Sequence, residues 1–203
     1  MEENMIITIS RQYGSGGSQV AKILAERMGV WCYDRDILTI AAERIGNEEL
    51  TEDTINDLNY KRNDVASAGI TGVMGMGNIP IYNQMFLEQA KIIRKLANYG
   101  SAVFLGRCAD YILKDIKNCT SVYLYADREF RKNRVKEIYG SNAEIMDKEE
   151  KNRAEYYNYY TGNRWGDINN YDFAINTSKV SFEEAADLIY RFAKDKQKNL
   201  KDR

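Results

Sequence analysis

Short apolar runs alternate with amphipathic segments along the chain, and this alternation predicts an α/β fold. Several of the runs are almost continuously apolar, as is typical of strands that are buried on both faces of a parallel sheet. The five predicted strands are Met5–Ile9, Trp31–Tyr33, Ala102–Leu105, Ser121–Tyr125 and Phe173–Ile175. Strands that alternate with helices favour right-handed crossovers and a layered domain, in which ligands bind at the carboxyl ends of the strands.

The segments between the strands carry helical patterns with recognisable ends. Four of these patterns are each followed by a glycine, which suits the left-handed position after a helix. They are Ser18–Met28, Arg35–Ile45, Asn83–Tyr99 and a helix that runs from its predicted N-cap Asp127 to Tyr139. A fifth helix opens with the S-x-x-E capping box of Ser181 and Glu184. We expect a single domain over residues 1–203, with a core of residues 1–46, 84–140 and 171–195.

The stretch ISRQYGSGGSQVAKILAERMG, residues 9–29, joins the first strand to the first helix through a glycine-rich turn. This order presents the free amides of a helix N-terminus to an anion. Compared with the P-loop pattern G-x-x-x-x-G-K-[ST], the chain has Arg11 at the first glycine and Gly16 at the second. Gly17 occupies the position of the lysine in this pattern, and Ser18 supplies the hydroxyl group that can reach phosphate-bound Mg²⁺. The stretch therefore predicts a phosphate-binding loop without its lysine.

Two other interpretations of this loop are open from the sequence. Gly14 and Gly16 begin the dinucleotide pattern G-x-G-x-x-G, and Asp34 lies at a suitable distance, but Gln19 stands at the third glycine. The other interpretation is a glycine turn that binds no ligand. Phosphate binding is favoured because glycines allow a close approach of the backbone. The predicted phosphate-binding residues are Gly14, Ser15, Gly16, Gly17 and Ser18.

Composition excludes several classes of function. The net charge of −1 disfavours a general nucleic-acid binder. No apolar run approaches the roughly 18 residues of a membrane span and no signal peptide opens the sequence, so we expect a cytoplasmic protein. Three widely spaced cysteines predict reduced thiols. The absence of histidine excludes Ser-His-Asp and Cys-His catalysis and disfavours a zinc enzyme, which leaves arginines, carboxylates, backbone amides and magnesium.

Arginines follow the predicted second and third strands. Arg35 lies in YDRD and Arg107 lies in LGRCAD, and the planar guanidinium fork suits a phosphate group. Since both arginines lie at the same edge of the sheet as the glycine loop, they predict further phosphate contacts. Other arginines follow the fourth strand or lie in the charged, tyrosine-rich segment 142–167: Arg128, Arg131, Arg134, Arg153 and Arg164.

Five segments of the chain together resemble the cytidylate kinase-like family of nucleoside monophosphate kinases. They are ITISRQYGSGG, YDRDIL, VFLGRCADYIL, SVYLYA and NYDFAINTS, of which the first and third are the most specific. The resemblance covers nearly the whole chain. It implies a P-loop NTPase-type three-layer fold with a five-stranded parallel sheet flanked by helices, an acceptor-binding insert at about residues 47–83 and a lid at about residues 141–170.

The resemblance also implies roles for individual residues. The glycine loop would hold the donor phosphates. The residues implied to face the acceptor nucleotide are Asp34, Arg35 and Arg107. Those implied to lie by the donor base are Asn176 and Thr177. The acidic-x-x-Arg pattern of the lid is matched by Glu150 and Arg153, with which we group the arginines Arg131, Arg134 and Arg164.

The predicted function is an ATP-dependent phosphotransferase that acts on a nucleoside monophosphate, CMP- or dCMP-like, with ATP as the donor and Mg²⁺ as the cofactor. The expected partners are small-molecule nucleotides, without nucleic acid or membrane. Because Gly17 replaces the lysine, an arginine must supply its positive charge in a working kinase. We predict Arg11, Arg107 and Arg153 as catalytic residues. The alternative function is a nucleotide sensor with little turnover, which the missing lysine favours.

Overall fold

The predicted apolar runs form a parallel sheet. The computed structural model describes residues 4–45, 81–140 and 142–201. The strands are β1 (Ile6–Arg11), β2 (Trp31–Tyr33), β3 (Ala102–Leu105), β4 (Cys119–Tyr125) and β5 (Phe173–Asn176). All the strand pairs are parallel, in the spatial order β2-β3-β1-β4-β5. This order differs from that of the dinucleotide-binding fold, so the G-x-G-x-x-G interpretation of the loop loses its support.

Helices cover both faces of the sheet and form the predicted three layers. In chain order they are α1 (Gly17–Met28), α2 (Asp36–Ile45), α3 (Ile81–Tyr99), α4 (Ala109–Ile112), α5 (Arg128–Tyr139), α6 (Ala143–Thr161), a 3₁₀ turn (Ile168–Asn170) and α7 (Phe182–Lys201). Apolar side chains of α1 and α7 pack on one face of the sheet. Those of α2, α3, α4 and α6 pack on the other face. Within the described ranges, no helix combines the length and apolar character that a membrane span requires.

The first strand is longer than its apolar pattern predicts, and this places Arg11 in the sheet rather than in the loop. Ser10 and Arg11 continue the ladder opposite Tyr123 and Leu124 of β4. Arg11 is only 5% exposed. A buried charged residue at the end of a strand breaks the apolar pattern, which is why the pattern stopped at Ile9.

The predicted helix ends are mostly present. Gly29 and Gly140 follow α1 and α5 with φ of 65° and 60°. At the start of α7, the Ser181 amide donates to the Glu184 carboxylate (2.8 Å), and the Glu184 amide donates to the Ser181 hydroxyl (3.1 Å). This is the predicted capping box. The glycine predicted to end the second helix, Gly46, lies outside the described residues, as does most of the insert predicted at about 47–83.

The predicted side-chain cap at the start of α5 is absent. Asp127 occupies the N-cap position, but its carboxylate accepts no hydrogen bond from the first turn of the helix. Instead it accepts hydrogen bonds from Asn176 (3.0 Å) and Lys179 (2.7 Å). The carboxylate therefore joins the end of β4 to the loop that follows β5.

The charged, tyrosine-rich segment 142–167, which the family resemblance assigns to the lid, contains a long helix, and the second half of that helix belongs to the core. Asn142 caps α6 by accepting a hydrogen bond from the Ile145 amide (3.0 Å). Tyr156 and Tyr157 are buried in the same apolar cluster as the side chains of α3 and α4. The Tyr157 hydroxyl donates to the buried carboxylate of Asp110 (2.6 Å).

Tyr157→Phe is expected to lower the free energy of unfolding by about 1–3 kcal/mol, because the buried Asp110 carboxylate loses a donor. Burial raises the pKa of Asp110, and the Tyr157 hydrogen bond opposes that rise. Without this bond the folded-state pKa of Asp110 rises further, so the loss of stability is largest at pH values above that pKa, where Asp110 is ionised. It shrinks as the pH falls through the folded-state pKa and protonates Asp110. Denaturant titrations at several pH values measure the loss, with Tyr99→Phe as the control because Tyr99 is 76% exposed. A loss equal to that of the control contradicts the prediction.

Candidate phosphate-binding site

The glycine loop runs from the end of β1 to the start of α1 and has a backbone that requires glycine at two positions. Gly14 and Gly16 both have φ of 82°, in the left-handed region that side chains with a Cβ rarely adopt. A Cβ on Gly16 would lie 2.5 Å from Cζ of Phe182, and a Cβ on Gly14 would lie 2.9 Å from Cγ2 of Val135. No side chain caps the start of α1. The start of the helix is therefore arranged as an anion-binding terminus.

Hydroxyl groups hold the loop from beneath. The Ser15 hydroxyl donates to the carbonyl of Gln12 (2.9 Å), and the Thr177 hydroxyl donates to the carbonyl of Ser15 (2.7 Å). The Gln12 side-chain carbonyl accepts the Ala126 amide (3.1 Å). Ser15 and Thr177 are fully buried. Their side chains therefore position the loop and do not face its open side.

A cavity of about 210 Å³ opens above the loop. Its walls include loop residues Tyr13, Gly14, Gly16, Gly17 and Ser18. Four cationic side chains also line it: Arg11, Lys22, Arg134 and Arg153. The cavity combines helix-terminal amides, an exposed serine hydroxyl and several positive charges, which is the chemistry that binds a polyphosphate.

Arg11 occupies the space into which a side chain at position 17 would grow. A Cβ built on Gly17 would lie 2.6 Å from Cγ and 2.7 Å from Cβ of Arg11. Real Cβ atoms essentially never come that close to another atom. The Arg11 side chain and a side chain at position 17 therefore exclude each other sterically.

Two buried arginines meet the same carboxylate at the carboxyl edge of the sheet. Arg11 Nη2 lies 3.7 Å from Oδ1 of Asp34, and Arg107 Nη2 lies 3.8 Å from the same atom. Arg107 is 2% exposed. Asp34 therefore joins the two guanidinium groups at this edge of the sheet.

The turn that presents Arg107 has an unusual backbone. Gly106, Arg107 and Cys108 have consecutive φ values of 72°, 60° and 54°. Left-handed geometry costs roughly 1–2 kcal/mol for each residue with a Cβ. Strain of this kind is typical of sites where the position of one side chain matters for function, and here the turn directs the Arg107 guanidinium to Asp34.

Helix α6 reaches back to the glycine loop through two side chains. The Tyr13 amide donates to Oε2 of Glu150 (2.6 Å), and the Trp165 indole donates to Oε1 of the same carboxylate (2.8 Å). Arg153 donates from Nη1 to the Arg11 carbonyl (3.1 Å), and its guanidinium lies 5.0 Å from the centre of the Tyr13 ring. We call the contacts of Glu150 and Arg153 with the loop the α6 latch.

Comparison with known proteins gives the family. The model of the cytidylate kinase-like family matches residues 6–179. The chain belongs to the cytidylate kinase-like family. Among solved structures, an uncharacterized protein from Eubacterium ventriosum is 30% identical, with a TM-score of 0.69 over 94% of this chain and 98% of the other. A search of curated proteins finds no match.

Two kinases of known substrate share the fold at lower identity. A gluconokinase from Sinorhizobium meliloti is 15% identical, with a TM-score of 0.55 over 96% of this chain and 97% of the other. A shikimate kinase from Acinetobacter baumannii, solved with shikimate, is 14% identical, with a TM-score of 0.52 over 94% and 93% of the two chains. The fold is therefore that of the P-loop kinases, as the family resemblance implied.

The structure separates the residues that the family resemblance grouped in the lid. Arg134 and Arg153 line the cavity. Arg131 is buried beneath the loop, where Nε donates to the Ala126 carbonyl (3.2 Å) and Nη1 to the Tyr13 carbonyl (3.4 Å). Arg164 is exposed beyond α6 and does not line this cavity.

The residues implied to lie by the donor base or to face the acceptor nucleotide also differ in placement. Thr177 is buried against the loop, and Asn176 accepts hydrogen bonds from Ser178 and donates to Asp127, so neither lines the cavity. Asp34 lies between the two buried arginines. Arg35 is exposed and lies outside the cavity wall.

Three residues that contribute to the site were not predicted from the sequence. Lys22 lines the cavity from the second turn of α1, Phe182 packs against Gly16, and Trp165 fixes the Glu150 carboxylate. Helical periodicity could have found Lys22, since it lies four residues after Ser18 and shares its face. No local signal marks Phe182 or Trp165, because both reach the site through the tertiary fold.

The α6 latch predicts protection of one loop amide from hydrogen exchange. Glu150→Ala removes the acceptor of the Tyr13 amide, so we expect that amide to exchange at least about tenfold faster. The matched control is Glu149→Ala, which removes the same charge from the neighbouring position of α6. Amide exchange followed by NMR measures both variants. Unchanged protection of Tyr13 in Glu150→Ala contradicts the latch.

Proposed function

We propose that the protein is an ATP-dependent phosphotransferase that acts on a nucleoside monophosphate of the CMP or dCMP type. The observation that carries the proposal is the position of Arg11. Its side chain fills the space above Gly17 and lines the cavity over the glycine loop. A cation therefore stands beside the position from which the P-loop lysine normally extends, although position 17 itself has no side chain.

The proposed transfer is an in-line displacement between a donor on the loop and an acceptor beside Asp34. Loop amides hold the donor phosphates, and Ser18, whose hydroxyl is exposed at the cavity, contributes a ligand to Mg²⁺. Bound Mg²⁺ neutralises charge on the phosphates. Arg11 and Arg107 stabilise the charge that develops on the transferring group and bind the acceptor phosphate. Arg153 closes the cavity from α6.

A nucleotide sensor with little turnover is the second candidate, and the α6 latch favours it. The Glu150 carboxylate already accepts a loop amide (2.6 Å), at an edge of the site where a donor phosphate would bring further negative charge. A protein built to report nucleotide binding through release of α6 would need this contact and would have no need of the lysine.

One set of measurements distinguishes the two functions. Thermal-shift titrations with nucleoside mono-, di- and triphosphates in Mg²⁺ report binding, and ATP-dependent phosphorylation of CMP, dCMP, UMP and AMP reports turnover. Phosphorylation of CMP or dCMP above the other acceptors is the expected result. Tight ATP binding without transfer to any acceptor would favour the sensor, and absence of nucleotide binding would overturn both functions.

A further inference from the structure

The cationic side chains at the cavity differ in how far they are already engaged by the protein. Arg11 pairs with Asp34 at 3.7 Å. Arg134 donates to the side chain of Gln19, and its guanidinium lies 4.7 Å from the centre of the Phe182 ring. Each of these contacts fixes a guanidinium group in one direction. An incoming anion would have to compete with them or share the cation with them.

Arg153 is engaged in the same way through the α6 latch. Lys22 is the exception. Among residues 4–45, 81–140 and 142–201, no carboxylate, carbonyl or aromatic ring contacts its ammonium group. It is exposed, yet it lines the cavity together with Gly17 and Ser18. A solvated lysine at a cavity mouth keeps its three donors available for a ligand.

The position of Lys22 on α1 suits a ligand held at the start of the helix. It lies four residues after Ser18, so the two side chains share one face of the helix. Side chains on a helix lean toward its N-terminus, which brings the Lys22 stem toward the loop. Lysine carries a compact point charge on a flexible stem and binds phosphates in that way, without the fixed geometry of an arginine fork.

We infer that Lys22 binds the polyphosphate of the nucleotide donor and supplies, from the second turn of α1, the ammonium group that the loop lacks at position 17. This inference rests on the proposed function, because it names a further ligand of the same donor. Arg11 and Lys22 then divide the work of the missing lysine. Arg11 lies at the buried end of the cavity beside Asp34 and acts on the transferring group, whereas Lys22 lies at the exposed end and holds the donor.

These separate roles of Arg11 and Lys22 predict which ligands lose affinity when Lys22 is replaced. A point charge at the phosphate chain contributes more to binding as the number of phosphate groups rises. It makes little difference to a monophosphate, and it acts equally on a polyphosphate that has no nucleoside. The contribution also falls with rising salt, because Lys22 is exposed.

The test compares wild type, Lys22→Met, Lys22→Arg and Lys198→Met by isothermal titration with MgATP, ADP, AMP and inorganic tripolyphosphate. Lys198 is the matched control, since it is exposed on α7 and does not line the cavity. We expect Lys22→Met to weaken ATP and tripolyphosphate binding at least about tenfold and AMP binding less than threefold. Lys22→Arg should retain most of the affinity, and Lys198→Met should match wild type.

The outcomes separate the inference from the proposed function. Equal affinity of wild type and Lys22→Met for ATP and tripolyphosphate overturns the role of Lys22 and leaves the kinase proposal in place. A loss of AMP binding as large as that of ATP also overturns it, because the lysine would then act on the fold of the site. Failure of the wild type to bind ATP overturns both, whereas binding of ATP without binding of tripolyphosphate overturns the inference alone.

Discussion

Gly17→Lys alone is expected to reduce turnover and stability, although it restores the lysine of the P-loop pattern. The new Cβ would lie 2.6–2.7 Å from Cγ and Cβ of Arg11, which is 5% exposed and has little room to move. Overpacking of this kind typically costs about 1–3 kcal/mol. A lysine at position 17 is therefore compatible with the fold only if the side chain at position 11 is removed.

The double variant Arg11→Gly with Gly17→Lys removes the conflict and completes the pattern G-x-x-x-x-G-K-S. Arg11→Ala would leave a Cβ 2.7 Å from the new one, so glycine is needed at position 11. We expect Arg11→Gly alone to lower kcat by about 100-fold or more with a smaller change in KM for ATP, because its charge acts on the transition state. The kcat of the double variant should be at least about tenfold higher than that of Arg11→Gly alone.

A double-mutant cycle over positions 11 and 17 measures this coupling. Phosphotransferase assays give kcat and KM for the four proteins, and denaturant titrations give their stabilities. Additive effects of the two substitutions, or a Gly17→Lys variant more active than wild type, would show that Arg11 does not replace the lysine.

Gly16→Ala is expected to destabilise the fold strongly, because two separate costs fall on the same residue. The residue has φ of 82°, and its Cβ would lie 2.5 Å from Cζ of Phe182. Left-handed strain and the clash with the ring together should lower the free energy of unfolding by about 3 kcal/mol or more. The displaced loop should also lose its affinity for ATP and tripolyphosphate.

Gly140→Ala is the matched control for the backbone. Gly140 also has a positive φ, of 60°, but a Cβ there would meet nothing within 4 Å. It should therefore cost only the strain, about 1–2 kcal/mol, and leave ligand binding unchanged. Denaturant midpoints and ATP titrations measure both variants. Equal losses of stability in Gly16→Ala and Gly140→Ala would mean that Phe182 does not constrain the loop.

The sequence predicted the sheet and the loop well because their signals are local. Trp31–Tyr33 and Ala102–Leu105 have the predicted bounds, since each is a short apolar run between polar segments. The spacing of glycines likewise located the start of α1. Arg11 was misplaced because a charged residue usually ends a strand pattern. Here the buried guanidinium is compensated by Asp34, a contact that only the fold creates.

Side-chain direction was the part of the site that the sequence could not predict. Thr177 and Ser18 both carry hydroxyl groups and were both predicted to bind the nucleotide, yet Thr177 is buried beneath the loop and Ser18 is exposed at the cavity. The segment 142–167 gave no sign of a core helix, because its apolar character comes from tyrosines among charged residues. Tyr156 and Tyr157 are nevertheless core residues. Tyrosine suits either environment, so composition did not separate them.

Helix α6 has different attachments at its two ends, and this restricts how the cavity can open. Glu150 and Arg153 bind the loop, whereas Tyr156 and Tyr157, less than two helical turns further on, are anchored in the core. A rigid swing of the whole helix would expose those tyrosines to water. A bend of α6 between Arg153 and Tyr156 would release the latch from the loop while Tyr156 and Tyr157 stay buried.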